Sequence, residues 1–307
     1  MALAVIVLAT LSAWPAPPVT VAHADDEDVS YRDQVSAGRL MDGTMHSATL
    51  SMDLPYRVYL PPGYNSSGAR YPVLYMLHGG GSGYVEWTEK SHLGNITDYF
   101  ITSGQIPPLI IVMPEADHSF YMNWASNGPR WADYMNYDLV SFIDYNYRTI
   151  PDGAHRAIGG LSMGGTGALQ LAFNHPETFS IVGAHSPSLY QSPEGIPDAF
   201  GSWDYYGIYD PLRLAATRDG LTSLQIWIDV GDQDPWRGGA EQLDSILTSR
   251  GIDHLWHLYP GGHDNVFWMD HIPDYLRFYT NALTGVTVPP SRRPTATPEA
   301  TAVASTE

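Results

Sequence analysis

Short apolar runs alternate with amphipathic stretches along most of the chain. The runs YPVLYMLH, PPLIIVMP and LQIWIDV are almost wholly apolar, which is typical of strands that are buried on both faces. Between them, WADYMNYDLVSFIDYNYR and GAEQLDSILTSRG have helical spacing, and the former would place Tyr134, Leu139, Phe142 and Ile143 on one side. This alternation predicts an α/β fold, with a mostly parallel central sheet and helices on both faces.

The first and last elements of this pattern are less regular. SATLSMDLPYRVYLPPGY contains two strand-like runs interrupted near Leu54 and Pro55, which predicts a hairpin at one edge of the sheet. A last helix is expected near Ile272 to Leu283. We therefore assign residues 46–285 to one catalytic domain.

The two ends of the chain differ in composition from this domain. ALAVIVLATLSAWPA is apolar but too short to span a bilayer comfortably, and Ala22-His23-Ala24 follows it in a small-x-small pattern. Residues 1–24 are therefore predicted to be a signal peptide, which implies a secreted, extracellular protein, although no Lys or Arg precedes the apolar run. Residues 25–45 form an N-terminal segment, and the Pro/Thr/Ala-rich residues 286–307 are predicted to be a disordered tail.

Composition excludes several functions. The 307 residues include 33 acidic and 15 basic side chains, for a net charge of −18, so neither nucleic acid nor an anionic membrane is an expected partner. The absence of cysteine excludes disulfides, thiolate metal sites and a cysteine nucleophile. No metal or organic cofactor is expected. The 20 Tyr and 9 Trp residues fit a packed core or an aromatic-lined cleft.

One motif carries candidate chemistry. Gly160-Leu161-Ser162-Met163-Gly164 matches G-x-S-x-G, with the strand-like HRAIGG before it and the helix-like GTGALQLAFNHP after it. In such a strand–turn–helix the serine hydroxyl stands above the sheet, and the next helix points its first N–H groups at the reacting carbonyl. The sequence predicts Ser162 as a nucleophile and the Met163 N–H as an oxyanion donor.

A serine nucleophile needs a base that takes its proton. Among the 12 histidines, His263 lies in YPGGHDNVFW, just after the last predicted strand, where its side chain would reach over the sheet. His185, at the end of the strand after the nucleophile's helix, is the alternative. We favour His263 because of its place in the chain order.

The base in turn needs a carboxylate on its other ring nitrogen. In IWIDVGDQDPW, Asp229 lies within the strand, whereas Asp232 and Asp234 both follow it. The order serine, acid, histidine is that of the α/β-hydrolases. Of the two loop residues we favour Asp234.

A second oxyanion donor is expected from MLHGGGSG, where a strand ends in glycines. We assign it to the N–H of Gly80, with Gly79 as the alternative, and we expect His78 to orient this loop. Ser82 lacks a flanking strand–helix turn and is not expected to be a second nucleophile.

Taken together, these motifs resemble the esterase D family of α/β-hydrolases, which includes bacterial feruloyl esterases, S-formylglutathione hydrolases and, more distantly, mycolyltransferases. The segments that carry the resemblance are YRVYLPPGY, YPVLYMLHGGG, IPPLIIVMPEA, HRAIGGLSMGGTGAL, GDQD and GGHDNVFW. The resemblance implies a triad of Ser162, Asp234 and His263. One departure is Asn265, because many feruloyl esterases have a tryptophan at this position. Trp268 would have to substitute for that tryptophan.

The resemblance also bears on the substrate. Export argues against a glutathione ester as substrate, because such esters are cytosolic. It favours small or polysaccharide-linked esters of plant cell walls. Feruloyl esters are the first candidates, and acetylated xylan or general carboxylic esters are the second. An acyltransferase with the same triad, and a binding protein without catalysis, are further alternatives. The sequence does not indicate an oligomeric state. The aromatic residues predicted to line the cleft are Trp87, Tyr121, Trp124, Trp131, Trp236 and Trp268.

Overall fold

The computed structural model of the chain describes residues 37–285. The predicted signal peptide, most of the N-terminal segment and the predicted tail lie outside the described residues. Eight strands form one sheet in the order β1-β2-β4-β3-β5-β6-β7-β8, in which β1, β2 and β4 pair antiparallel and all other neighbours pair parallel. The strands are β1 Arg39–Ser47, β2 Met52–Leu60, β3 Val73–Leu77, β4 Ile110–Pro114, β5 Arg156–Leu161, β6 Ile181–His185, β7 Gln225–Gly231 and β8 Leu255–Tyr259.

Helices cover both faces of this sheet, so the predicted α/β architecture is confirmed. The α-helices are α1 Tyr64–Ser67, α2 Glu86–Glu89, α3 Leu93–Thr102, α4 Trp131–Asp133, α5 Val140–Asn146, α6 Met163–Asn174, α7 Trp203–Tyr206, α8 Pro211–Thr217, α9 Arg237–Ser249 and α10 Asn265–Leu283. Short 3-10 turns lie at Gly153–His155, Asp198–Phe200 and Leu221–Ser223.

Alternate residues of the central strands enter two separate hydrophobic cores. In β3, Val73, Tyr75 and Leu77 pack with α6, α8 and α9, whereas Leu74 and Met76 pack with α3 and α10. Successive side chains of a strand point to opposite faces, so a strand between two helical layers must be apolar at every position. This is the physical origin of the unbroken apolar runs in the sequence.

The hairpin at the sheet edge is present, but its break lies elsewhere than predicted. The turn occupies residues 48–51, and β2 continues through Pro55, opposite Thr44 of β1. Pairing of β2 with β4 begins only at Tyr56, and the Pro55 carbonyl, which proline retains, accepts a hydrogen bond from the Glu115 N–H (3.1 Å). The sheet also begins at Arg39, before the predicted domain start at residue 46, because β1 is largely exposed and lacks an apolar run.

Two helices differ in detail from the prediction. The stretch from Trp131 has its apolar side buried, with Leu139 and Ile143 each 0% exposed, but Tyr134–Leu139 forms a π-helical segment between α4 and α5. The last helix starts at Asn265 rather than near Ile272. Asp264 caps it by accepting hydrogen bonds from two N–H groups of the first turn, and Pro273 lies inside it.

A polar network is buried beneath the carboxyl ends of the central strands. His185 Nδ1 donates to Asp229 Oδ1 (2.6 Å), and the Tyr279 hydroxyl donates to His185 Nε2 (2.9 Å). The Trp227 indole N–H and the Tyr275 hydroxyl supply two further donors to the Asp229 carboxylate (2.6 and 2.8 Å). Because His185 and Asp229 are both 0% exposed, their polar atoms depend on these partners.

Substitution Tyr279→Phe should therefore lower the free energy of unfolding by about 1–3 kcal/mol, since it leaves His185 Nε2 without a donor in a buried site. Urea denaturation of the variant measures this loss. Tyr145→Phe is the matched control, because Tyr145 is 90% exposed and should be neutral. Equal unfolding midpoints for the two variants would contradict a stabilising role for the network.

Candidate active site

Ser162 occupies the turn between β5 and α6 in a backbone conformation that non-glycine residues rarely adopt, with φ 53° and ψ −117°. The neighbouring glycines make this turn possible. A Cβ at Gly160 would lie 2.5 Å from the Gly164 backbone, and a Cβ at Gly164 would lie 2.5 Å from the Leu77 carbonyl oxygen. The first turn of α6 thus packs directly on the end of β3, and Ser162 is left partly exposed above the sheet.

His263 connects Ser162 to a buried carboxylate. Its Nε2 lies 2.9 Å from Ser162 Oγ, and its Nδ1 lies 2.8 Å from Asp234 Oδ2. The Asp234 side chain is 0% exposed, whereas that of His263 is 21% exposed. A carboxylate only accepts hydrogen bonds, so His263 Nδ1 carries the proton and Nε2 is free to accept the serine hydroxyl.

The loops after β7 and β8 hold this arrangement. Asp234 Oδ1 accepts the Trp236 N–H (2.8 Å), which fixes the carboxylate at the start of α9. Asp232, the alternative acid, does not reach the histidine. Its Oδ1 instead accepts the Gly261 N–H (3.0 Å) and so ties the loop after β7 to the loop that carries His263. The structure thus places Asp234, not Asp232, against the imidazole.

The side chain of His185, the alternative base, has other partners. His185 belongs to the buried network with Asp229, and only its backbone reaches the site, where its carbonyl accepts the Ser162 N–H (2.9 Å). Both ring nitrogens of His185 already have partners. His185 is therefore a structural histidine.

Of the two N–H groups predicted as alternative donors in the glycine-rich loop after β3, one is already engaged. The Gly79 N–H donates to Glu86 Oε2 (2.7 Å) and is thereby occupied. The N–H groups of Gly80 and of Met163, the first residue of α6, have no hydrogen-bond partner within residues 37–285. Gly80 lines the same cleft as Ser162, and Met163 directly follows Ser162 in the chain.

His78 anchors this loop from below. Its Nδ1 donates to the Gly79 carbonyl (2.9 Å) and its Nε2 accepts the Ala116 N–H (3.1 Å), which joins the ends of β3 and β4. Beside it, Glu115 accepts N–H groups of the loops on either side. Burial opposes ionisation of Glu115, but the neighbouring His78 ring and hydrogen bonds from the backbone N–H groups of Asp117 and Tyr84 outweigh it and lower the pKa to about 2.

Three further residues surround this loop and were not predicted from the sequence: Glu86, Glu115 and His118. Glu86 is 4% exposed and lies in α2, seven positions after the glycine whose N–H it accepts. The His118 ring lies against Gly80, because a Cβ there would be 2.7 Å from His118 Cε1. A carboxylate soon after a glycine-rich loop is the signal that would have suggested Glu86.

Two of the aromatic residues predicted to line the cleft do not. Trp87 is 0% exposed and donates its indole N–H to the Leu77 carbonyl (2.9 Å). Tyr121 is also 0% exposed and donates its hydroxyl to the His78 carbonyl (3.1 Å). Both side chains support the end of β3 and the glycine-rich loop from within the core, where large aromatic groups contribute most packing area. Their predicted contact with substrate is therefore wrong.

The remaining aromatic residues fall in different places. Trp268 lines a cavity of about 290 Å³ together with Ser162 and His263, and its ring meets the imidazole edge-on at 5.0 Å. Trp236 packs edge-on against another ring, that of Tyr190, at 5.2 Å. Trp124 and Trp131 line a second cavity, described below.

Asn265, the departure from the feruloyl esterase pattern, also lines the cavity of Ser162. Its Oδ1 is buried and has no hydrogen-bond partner within the described residues.

Within residues 37–285, no group of three or more His, Asp or Glu side chains is arranged to hold a metal ion, and no helix is both long and apolar enough to cross a membrane.

Comparison with known proteins shows the family of the chain. The family model described as Putative esterase matches residues 47–279. The chain belongs to this esterase family. An esterase of Mycobacterium tuberculosis is 32% identical over 240 residues, which are 67% of this chain and 51% of that protein. A protein of Xylanibacter ruminicola named endo-1,4-beta-xylanase/feruloyl esterase is 31% identical over 187 residues, which are 59% of this chain and 26% of that protein.

Solved structures give the same result for the fold. A ferulic acid esterase superposes with a TM-score of 0.72 at 26% identity, covering 80% of this esterase-family chain and 98% of the other. The predicted α/β-hydrolase fold is thus confirmed.

The chain spans about half the length of the Mycobacterium relative and about a quarter of the Xylanibacter one.

Substitution Gly164→Ala tests the packing beneath Ser162. The added methyl group would overlap the carbonyl oxygens of Leu77 and His78, so we expect a loss of about 1–3 kcal/mol in the free energy of unfolding. Thermal and urea denaturation measure it. Gly262→Ala is the control, because the nearest atom to its Cβ is 3.6 Å away. If both variants unfold alike, the close approach of α6 to β3 is not tight.

Proposed function

We propose that this chain is a carboxylic ester hydrolase that acts through an acyl-enzyme on Ser162. The observation that carries the proposal is the continuous hydrogen-bonded path from Ser162 Oγ through His263 to the buried Asp234. His263 Nε2 accepts the serine proton as Oγ attacks the ester carbonyl. Asp234 stays ionised, holds the ring in the tautomer that can accept this proton, and stabilises the imidazolium that forms.

The tetrahedral intermediate carries a negative charge on the former carbonyl oxygen. The N–H groups of Met163 and Gly80 are the proposed donors, because neither has a hydrogen-bond partner within the described residues, Met163 directly follows Ser162, and Gly80 lines the cleft of Ser162. The Gly79 N–H is not a donor in this mechanism, since Glu86 holds it. Donors that are already fixed before reaction stabilise the developing charge without reorganisation.

Collapse of the intermediate completes the first half of the reaction. His263 gives its proton to the departing alcohol, and the C–O bond of the ester breaks to leave the acyl group on Ser162. Water then repeats the sequence, with His263 as base, and releases the carboxylic acid. No step uses a metal ion or an organic cofactor.

The proposed substrates are hydroxycinnamoyl esters of plant cell-wall polysaccharides. This proposal is supported by the name of the Xylanibacter relative, which joins a feruloyl esterase to a xylanase, and by the ferulic acid esterase of the structural comparison. The proposed place of action is extracellular, as the sequence pattern of residues 1–24 predicts. A glutathione ester, which is cytosolic, fits that place less well.

Substitution Ser162→Ala should lower kcat by at least about a thousandfold, because the nucleophile is lost while binding groups remain. Initial rates on methyl ferulate, α-naphthyl acetate and acetylated xylan measure it, alongside the unaltered chain. The highest kcat/KM on methyl ferulate supports the feruloyl proposal, and cleavage of the acetate alone reduces it to a general esterase. Half of the normal rate in the variant would overturn the mechanism. If an added alcohol captures most of the acyl group, the chain is an acyltransferase.

The pair Asp234→Asn and Asp232→Asn separates the two candidate acids. An amide at residue 234 favours the wrong imidazole tautomer, so kcat should fall by about 10³- to 10⁴-fold. Asparagine at residue 232 keeps an oxygen that accepts the Gly261 N–H, so its activity should stay within about tenfold of normal. Steady-state rates on α-naphthyl acetate compare the two. A larger loss at residue 232 would contradict the assignment.

A further inference from the structure

A second cavity, of about 610 Å³, opens at the same end of the sheet as Ser162. The turn between β1 and β2 forms one wall and the loop between β4 and α4 forms the other. Because Tyr56 of β2 pairs with Pro114, the last residue of β4, the residues before Tyr56 lie beyond the carboxyl end of that strand. The cavity therefore lies on the side of the sheet where the nucleophile stands.

One short segment connects the two cavities. Asp117 lines the larger cavity, and the next residue, His118, lies against Gly80 of the oxyanion loop. The His118 side chain is exposed, and the structure shows no hydrogen bond to its ring within the described residues. A substrate whose carbonyl sits at Gly80 would have to extend past His118 to reach the larger cavity.

Trp124 is held as a fixed aromatic surface in this cavity. Its indole N–H donates to the Ser119 carbonyl (3.3 Å), and its backbone N–H donates to the Pro129 carbonyl (2.9 Å). The loop that carries it has left-handed backbone at Ser126 and Asn127, with φ 55° and 62°. Such conformations in non-glycine residues cluster at binding sites, where the surrounding structure maintains them.

The lining combines this ring with apolar and hydrogen-bonding groups. Leu50 and Met52 contribute apolar surface from the hairpin turn, and Met52 is 45% exposed. Asp117 and Asn127 contribute a carboxylate and an amide. Arg130 also borders the cavity, but its guanidinium is paired with Asp133, so no unpaired positive charge is available for an anion.

A neutral ligand with one apolar face and several hydroxyl groups fits this lining, which is the chemistry of a sugar ring. We propose that the cavity of Trp124 binds the saccharide to which the ester is attached, with a sugar face on the indole and hydroxyl groups on Asn127 and Asp117. This inference rests on the proposed esterase function, because it names the part of the substrate beyond the reacting carbonyl. It makes Trp124 a residue that determines specificity and takes no part in the chemistry.

Binding without catalysis tests the saccharide site directly. In the Ser162→Ala background, isothermal titration with xylotetraose should show binding that weakens by about tenfold or more when Trp124→Ala is added, as expected for loss of a buried aromatic contact. Asn127→Gly keeps the left-handed backbone, so it folds even if the tryptophan variant does not, and it should weaken binding by about threefold. Tyr145→Ala is the aromatic control and should change nothing.

Kinetics on two substrates give the second readout. In the active chain, Trp124→Ala should lower kcat/KM for a feruloylated xylo-oligosaccharide by about tenfold and leave methyl ferulate within about twofold. Equal losses on both esters, or unchanged xylotetraose affinity in Trp124→Ala, would overturn the saccharide site while leaving the esterase mechanism intact. Failure of the esterase proposal is seen separately, as the absence of cleavage of either ester by the unaltered chain.

Discussion

The close approach of α6 to the end of β3 is the constraint on which the site depends. Gly164 lies so near the Leu77 and His78 carbonyls that no side chain fits between them. That approach forces Ser162 into left-handed backbone and brings the first N–H of α6 beside the loop of Gly80. The strain is local, and it is held by the two cores that clamp β3 and β5 from either side.

The sequence predicted the elements that depend on short-range patterns. Unbroken apolar strands, the G-x-S-x-G turn and the chain order of serine, acid and histidine all follow from local chemistry, and the structure places Ser162, Asp234 and His263 in one hydrogen-bonded chain. Contacts between residues that are distant in the sequence were harder to predict. The burial of Trp87 and Tyr121 cannot be read from spacing, because it depends on which loops meet in space.

Buried carboxylates recur in the structure, and each is matched by donors. Asp229 has three, Asp234 has an imidazole and a backbone N–H, and Glu86 has a backbone N–H and the ammonium of Lys90. In a chain with a net charge of −18, unpaired buried acids would be costly. Two of the His–Asp pairs, His185 with Asp229 and His263 with Asp234, differ chiefly in the partner of the second ring nitrogen. A tyrosine hydroxyl occupies the outer nitrogen of His185, whereas a serine hydroxyl occupies that of His263.

His263 is followed at once by Asp264, which caps α10 and is fixed by the N–H groups of that helix. On its other side, Asp232 holds Gly261. His263 thus lies in the four-residue segment from Gly261 to Asp264, whose two ends are anchored, and an insertion there would move the imidazole away from Ser162. The loop from Asp117 to Arg130 is anchored independently of that segment. In the proposed mechanism the reacting groups and the saccharide site therefore lie on separately anchored loops, so variation in the second loop would change which esters are cleaved without altering how they are cleaved.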